Sequence, residues 1–182
     1  MERQGNNLIS KKNKIGILGG SFDPAHSGHL AISKEALKKF KLKKIIWAIT
    51  KKNPLKGKPH LNIKKRLKLS KKITAQEKKI FVSCYDNKIR SLSTFDLLSY
   101  IKKREKKAKI YFLIGADNLV KLHKWDNWKK IPQLAKIVVF PRGNYLLKKK
   151  KYIASKMLKK RDLIYINSKK VNISSSIIRK FW

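Results

Sequence analysis

Apolar and polar positions along this chain alternate between two rhythms. Lys14–Leu18 is a short apolar run that stops at the pair Gly19-Gly20, the pattern of a buried strand entering a tight turn. From Gly28 to Phe40 the apolar residues Leu30, Ile32, Ala36, Leu37 and Phe40 fall near helical spacing. Lys44–Thr50 is a second apolar run, followed by a loop marked by Asn53-Pro54, Gly57 and Pro59. Leu61–Ile73 returns to helical spacing through Ile63, Leu67 and Leu69 or Ser70. The spacing then predicts a strand over Lys79–Tyr85, a helix over Thr94–Lys103 and a strand over Lys109–Ile114 stopped by Gly115. A helical turn over Asp117–Leu122 and a strand over Lys136–Phe140 come next, the strand closed by Pro141-Arg142-Gly143. A helix over Leu146–Leu158, a short strand over Leu163–Ile166 and a terminal helix over Ser174–Phe181 complete the pattern.

Strands that are apolar throughout and alternate with helices argue for a parallel sheet covered on both faces. Right-handed crossovers make this a Rossmann-like, doubly wound α/β domain, with ligands beyond the carboxyl ends of the strands. The segments Gly19–His29, Asn53–Lys56, Ser93–Asp96 and Gly115–Trp125 all follow predicted strands and therefore gather on one rim. The 182 residues fit one domain over 14–182, preceded by a polar leader, Met1–Asn13, expected to be disordered.

Composition adjusts this picture in three places. The single cysteine, Cys84, excludes an internal disulfide framework and reads as a small buried hydrophobe in a strand. No apolar run reaches the length of a membrane span and no signal peptide is visible, so a cytoplasmic protein is expected. The formal charge of +38 suggests nucleic acid, but lysine supplies nearly all of it and occupies almost every solvent-facing helix position. Arginine forks and aromatic platforms are sparse, so no specific nucleic-acid partner is expected; the reading as an RNA-binding protein rests on charge alone.

The chemistry concentrates in Gly19-Gly20-Ser21-Phe22-Asp23-Pro24-Ala25-His26-Ser27-Gly28-His29. Two glycines permit close backbone approach and positive φ, so that N–H groups can form an anion nest. The helix starting near Gly28 aims its dipole at the same point. His26 and His29 stand one helical turn apart, so both rings can face a single phosphate. An imidazole there donates to a phosphate oxygen and, when protonated, stabilises charge developing at phosphorus. No third metal ligand lies nearby, and neither a dinucleotide fingerprint nor a Walker loop is present.

This run resembles the signature of the nucleotidylyltransferase superfamily, which implies ATP bound through Gly19, Gly20, Ser21, Phe22, His26 and His29, with no covalent enzyme intermediate. Ile114-Gly115-Ala116-Asp117-Asn118-Leu119, followed by His123, Trp125 and Trp128, is similar to the nicotinate-mononucleotide adenylyltransferase family. That resemblance implies transfer of an adenylyl group from ATP to nicotinate mononucleotide, giving deamido-NAD and pyrophosphate, with Mg²⁺ bound through ATP and no metal ligands from the chain. It implies Gly115 and Asp117 at the nucleotide and Trp125 stacked on the pyridine ring, with Ser21 and Phe22 also touching the acceptor; Trp128 is expected to pack in the core. Asn53-Pro54-Leu55-Lys56 with Arg66 resembles a substrate loop and its following helix, which makes Lys56 a candidate phosphate contact.

Ser93-Thr94-Phe95-Asp96-Leu97-Leu98 is similar to the family run Tyr-Thr-x-Asp-Thr-Leu and implies Thr94 near the pyridine carboxylate, although Thr94 could equally be a helix N-cap. Pro141-Arg142-Gly143 departs from the more usual Arg-Pro-Gly order. Ser174, Ser175 and Ser176 with Arg179 are similar to the family's Ile-Ser-Ser-Thr-x-Ile-Arg and imply a clamp on the triphosphate. A pantetheine-phosphate adenylyltransferase is the nearest alternative within the superfamily; it usually has Thr in place of His26 and lacks the Gly115–Trp128 block. A homo-oligomer is compatible with all of this.

Overall fold

The structure is a computed structural model that describes residues 13–142, 152–167 and 175–179. The leader (residues 1–12), the first half of the helix expected over Leu146–Leu158, Ser174 and the last residues of the expected terminal helix lie outside the described residues. Six parallel strands form one sheet: β1 (Lys14–Gly20), β2 (Lys44–Ile49), β3 (Ile80–Ser83), β4 (Lys109–Gly115), β5 (Lys136–Phe140) and β6 (Leu163–Tyr165). Their order, β3-β2-β1-β4-β5-β6, reverses direction between β1 and β4, and a doubly wound sheet opens a crevice at the carboxyl ends of that pair.

Two cores cover the faces. Leu18, Ile45, Trp47, Leu113, Val138 and Phe140 pack toward α1 (Ser27–Phe40) and α2 (Ile63–Ile73). Ile15, Ile17, Phe112, Ile114, Ile137 and Val139 pack on the other face, toward α4 (Thr94–Arg104), α5 (Ala116–Lys121), α6 (Ile131–Leu134) and α7 (Ile153–Met157). Strict alternation along β4 and β5 assigns neighbouring residues to opposite cores, which is why these strands read as unbroken apolar runs. The short α3 (Asp86–Ile89) and α6, and the 3-10 turns Leu122–Lys124 and Trp128–Lys130, are additional to the elements expected from spacing; a single helical turn leaves no period to detect. Cys84 lies just past the end of β3 and is half-buried, so it is a loop residue and not the strand residue expected. No helix among the described residues is long and apolar enough to cross a membrane. β3 is an outer strand and carries Phe81 with 53% of its surface exposed.

Arg66 on α2 is 1% exposed and holds the strand ends together. Its Nη1 donates to the carbonyls of Ser21 (2.6 Å) and Thr50 (2.7 Å), its Nη2 to Lys51 (2.9 Å) and its Nε to Leu61 (2.9 Å). The guanidinium thus ties the turn after β1 to both ends of the loop between β2 and α2, and buried carbonyls without such donors are costly. The carboxylate of Asp23 adds a second tie by accepting from the N–H groups of His60 (2.8 Å) and Leu61 (2.9 Å). The sequence reading linked Arg66 to the substrate loop; it serves that loop from the interior, as a brace.

Arg66→Met is expected to destabilise the protein by about 2–4 kcal/mol, read as a lower urea midpoint at unchanged slope. Arg66→Lys recovers only part of the loss, because an ammonium cannot span four carbonyls in one plane. Midpoints equal to that of the unaltered protein would refute the brace.

Candidate active site

β1 delivers Gly19 and Gly20 to the crevice as extended strand residues, and the positive φ expected there falls elsewhere, on Phe22 (φ 48°). A Cβ on Gly19 or Gly20 would meet only ring atoms of Phe112 and Phe22 at 3.7 and 3.5 Å, ordinary contact distances. Both glycines line the cleft, so leaving out their side chains keeps the floor open to a ligand. The left-handed backbone of Phe22 is costly for an aromatic residue and is held by packing. Its ring is 2% exposed, stacks on Trp47 (5.0 Å between centroids) and lies 4.6 Å from the ring of His29. Trp47 Nε1 donates to Ser33 Oγ (2.8 Å), which donates to the carbonyl of His29 (2.9 Å). The peptide bond Asp23-Pro24 is cis.

The histidines are built into the start of α1. His26 is its N-cap: His26 Nδ1 accepts from the N–H of Gly28 (3.1 Å), and His29 Nδ1 accepts from the N–H of His26 (3.2 Å). A backbone amide only donates, so each Nδ1 offers a lone pair and each ring carries its proton on Nε2. The ring centroids are 3.9 Å apart. Burial, reinforced by the Arg142 guanidinium, pushes the His26 imidazole down to about 4. Burial pushes His29 well below the ordinary histidine value too, with His26, Arg142 and Lys56 adding to the effect. The pair therefore acts near neutral pH as two neutral Nε2–H donors, and the cationic role considered from the sequence does not apply. His29 lines the cleft; His26 stands behind it, 5% exposed, with Nε2 buried and without a partner.

The remaining expected residues divide. Ser21, Phe22, Lys56, Thr94, Gly115, Trp125 and Ser175 line the same cleft. Thr94 is the first residue of α4, and its cap is the neighbouring Ser93, whose hydroxyl accepts from the N–H of Asp96 (3.5 Å); Thr94 is free of capping duty. Trp125 presents its edge to Phe112 (6.1 Å), whereas Trp128 packs on the core, as expected. Lys56 sits in a turn made by the Asn53 side chain, which accepts from the N–H of Leu55 (2.9 Å). Asp117, Ser176 and Arg179 stand outside the cleft lining. Arg179 Nη1 donates to the carbonyl of Asp23 (2.5 Å) and its Nη2 to Ser176 Oγ (3.3 Å), while Ser175 Oγ donates to the carbonyl of Pro24 (2.8 Å). The segment after residue 174 is thus docked on the glycine turn from 150 residues away in sequence.

Several cleft residues escaped the sequence reading. Tyr85, Ile89 and Leu92 belong to the unexpected α3 region and form an apolar wall beside Thr94. Asp86, at the start of α3, accepts from Thr50 Oγ1 (3.0 Å) and from the N–H of Lys51 (2.6 Å), pinning the exit of β2. Arg142 also lines the cleft; its displaced place in the Arg-Pro-Gly pattern was the available signal. No group of three or more His, Cys, Asp or Glu that could hold a metal occurs among the described residues.

With this geometry established, comparison with known proteins is informative. The cytidylyltransferase-like family model matches residues 17–181. The chain is 50% identical over 180 residues to a probable nicotinate-nucleotide adenylyltransferase of Pelagibacter ubique (strain HTCC1062), covering 99% of both chains. It is 32% identical over 164 residues to a probable nicotinate-nucleotide adenylyltransferase of Aquifex aeolicus (strain VF5), covering 88% of this chain and 98% of the relative. Among solved structures, the Plasmodium falciparum nicotinic acid mononucleotide adenylyltransferase complexed with NaAD superposes with a TM-score of 0.77 at 24% identity, covering 93% of this chain and 83% of that one. The last likeness shows a shared fold.

A histidine that is neutral when folded and titrates near 6.5 when unfolded makes the unfolded state bind more protons between those two values. Stability is therefore expected to fall as pH drops from 6.5 toward about 4, the value to which His26 is lowered. His26→Asn keeps an acceptor for the Gly28 N–H but does not titrate, so its thermal unfolding should depend less on pH across that window. Identical pH slopes for the two proteins would count against a buried neutral His26.

Proposed function

The chain belongs to the nicotinate-nucleotide adenylyltransferase family, and on that premise we propose that it joins ATP and nicotinate mononucleotide to give deamido-NAD (nicotinic acid adenine dinucleotide) and pyrophosphate. The observation that carries the reading is the neutral histidine pair at the carboxyl end of β1, facing Gly115 across the point where the sheet reverses. A 5′-phosphate oxygen of the acceptor attacks the α-phosphorus in line, the bond from that phosphorus to the β-phosphate oxygen breaks, and pyrophosphate leaves. A phosphate oxygen is already ionised at neutral pH, so the chain supplies position and charge stabilisation in place of a general base.

In this scheme His29 and His26 donate from Nε2 to oxygens of the reacting phosphates, strengthening as negative charge builds. Gly19, Gly20, Ser21 and Phe22 provide the floor under the nucleotides. Asp117 and Gly115 shape the ATP side, and Ser174, Ser175, Ser176 and Arg179 take the leaving pyrophosphate. Thr94 and Trp125 hold the pyridine half, with the flat indole against the electron-poor ring. Lys56 meets the acceptor's phosphate from its loop. Mg²⁺ enters as part of the substrate, bridging ATP oxygens; this agrees with a cleft whose acids are occupied, Asp86 by backbone and hydroxyl donors and Asp117 beside Arg142.

The test is pyrophosphate release from Mg–ATP with nicotinate mononucleotide, nicotinamide mononucleotide or phosphopantetheine as acceptor. Release is expected with nicotinate mononucleotide at the highest kcat/KM; release with phosphopantetheine alone would sink the reading. His29→Ala is expected to lower kcat by roughly 100- to 1000-fold while the protein stays folded. Near-normal turnover in that variant would remove the histidine from the mechanism.

A further inference from the structure

Neutral histidines leave a charge problem. A triphosphate brings several negative charges into the cleft, and the positive charge that balances them must come from elsewhere. Lys56, Lys121, Arg142 and Arg179 all act on the same region, against the single carboxylate of Asp117. Arg66 is fully spent on four carbonyls, and Arg179 is engaged by Asp23 and Ser176. Arg142 differs from both.

Arg142 stands two residues beyond Phe140, the last residue of β5, and lines the cleft. Side chains alternate along a strand, and Val138 and Phe140 face the α1 side whereas Ile137 and Val139 face the other. The order Pro141-Arg142 therefore continues the Phe140 series and turns the guanidinium toward α1 and its histidines, both of which feel its charge. Its partner holds it loosely. Nη1 is 3.5 Å from Asp117 Oδ2, longer than a charge-assisted hydrogen bond, and the other oxygen, Oδ1, is buried without a partner. No hydrogen bond joins the guanidinium to any described residue, although it carries five N–H donors in a planar fork. Gly115 makes the room for this arrangement: a Cβ there would fall 2.4 Å from Asp117 Oδ1 and 3.0 Å from Arg142 Cδ.

We propose that Arg142 is a phosphate-binding residue that changes partner, resting on Asp117 in the free protein and moving its guanidinium onto the triphosphate of bound ATP. The proposal rests on the ATP-dependent reading given above. Leaving Asp117 costs little, because the pair is loose and both side chains are partly exposed, 28% for Arg142 and 23% for Asp117. A phosphate group offers the two parallel acceptors that the fork fits and Asp117 does not engage. The same movement leaves both Asp117 oxygens available as acceptors beside the bound nucleotide. A lysine at this place would supply charge without the fork.

The experiment compares binding of Mg²⁺ with α,β-methylene-ATP, a triphosphate that cannot react at the α–β bridge, against binding of adenosine, which has no phosphate. Calorimetry or NMR titration is run on the unaltered protein, Arg142→Gln and Arg142→Lys, each checked for an unchanged melting temperature. Arg142→Gln is expected to weaken the analogue roughly 10- to 100-fold and to leave adenosine within about twofold; Arg142→Lys regains part of the loss. The guanidinium NMR signal of Arg142, assigned by its disappearance in Arg142→Gln, should shift with the analogue and stay in place with adenosine. Equal losses for both ligands would reduce Arg142 to a support for Asp117 and overturn the proposal, as would an unchanged affinity for the analogue. Failure of the unaltered protein to bind the analogue would sink the ATP-dependent reading together with this one, whereas normal binding with an indifferent Arg142→Gln sinks only the exchange.

Discussion

The N–H groups of His26 and Gly28 have no carbonyl to bind at the start of α1, and imidazole Nδ1 atoms satisfy them. Much of the cleft follows from that requirement. A serine or aspartate would cap a helix as well, but only a ring that accepts with one nitrogen can donate with the other. The capping bonds fix the tautomer, orient the two rings and turn the second nitrogens away from the backbone. Burial then opposes protonation, so the donors stay neutral and net charge has to be carried by the cations along the rim. Structure and chemistry draw on the same pair of atoms, and neither histidine can be described as purely one or the other.

The frame around the rings obeys the same logic of unsatisfied backbone. Strands that end at a crevice leave carbonyls without sheet partners, and in this chain Arg66 collects four of them. Burying a guanidinium is costly unless its donors are used, and here every nitrogen of Arg66 donates. Asp23 and Asp86 complete the frame by taking backbone N–H groups at the two ends of the loop after β2. Asn53 to Lys56 lie between these ties, so the loop has fixed anchors and an exposed middle that carries Lys56.

Strands β1, β2, β4 and β5 and helices α1, α2 and α4 were legible in the sequence because each repeats its period long enough to be counted. The region from Tyr85 to Leu92 was not, since α3 is a single turn and Cys84 gives no sign that the strand has ended. Positive φ was expected at Gly19 or Gly20 from the permissiveness of glycine, but tertiary packing imposed it on Phe22, where a stack with Trp47 and His29 offsets the strain. Arg66 looked like one more cation in a lysine-rich helix; only the third dimension shows that its face of α2 points inward. The histidines, Trp125 and Thr94 were recognisable by motif, whereas the tautomer of each ring and the looseness of Arg142 depend on distances that no spacing encodes.

The outer strand β3 has a consequence for how copies of this chain meet. Its free edge offers unpaired backbone groups, and the protruding ring of Phe81 adds an apolar foothold, the combination through which sheets extend from one molecule into the next. Lys78 and Lys79 stand immediately before this strand, and a net charge of +38 surrounds it. Any second copy approaching edge to edge arrives with the same sign, so the lysine excess acts as a colloidal guard on a seam that a neutral surface would leave sticky. That guard is ionic in origin and weakens as salt shortens its reach.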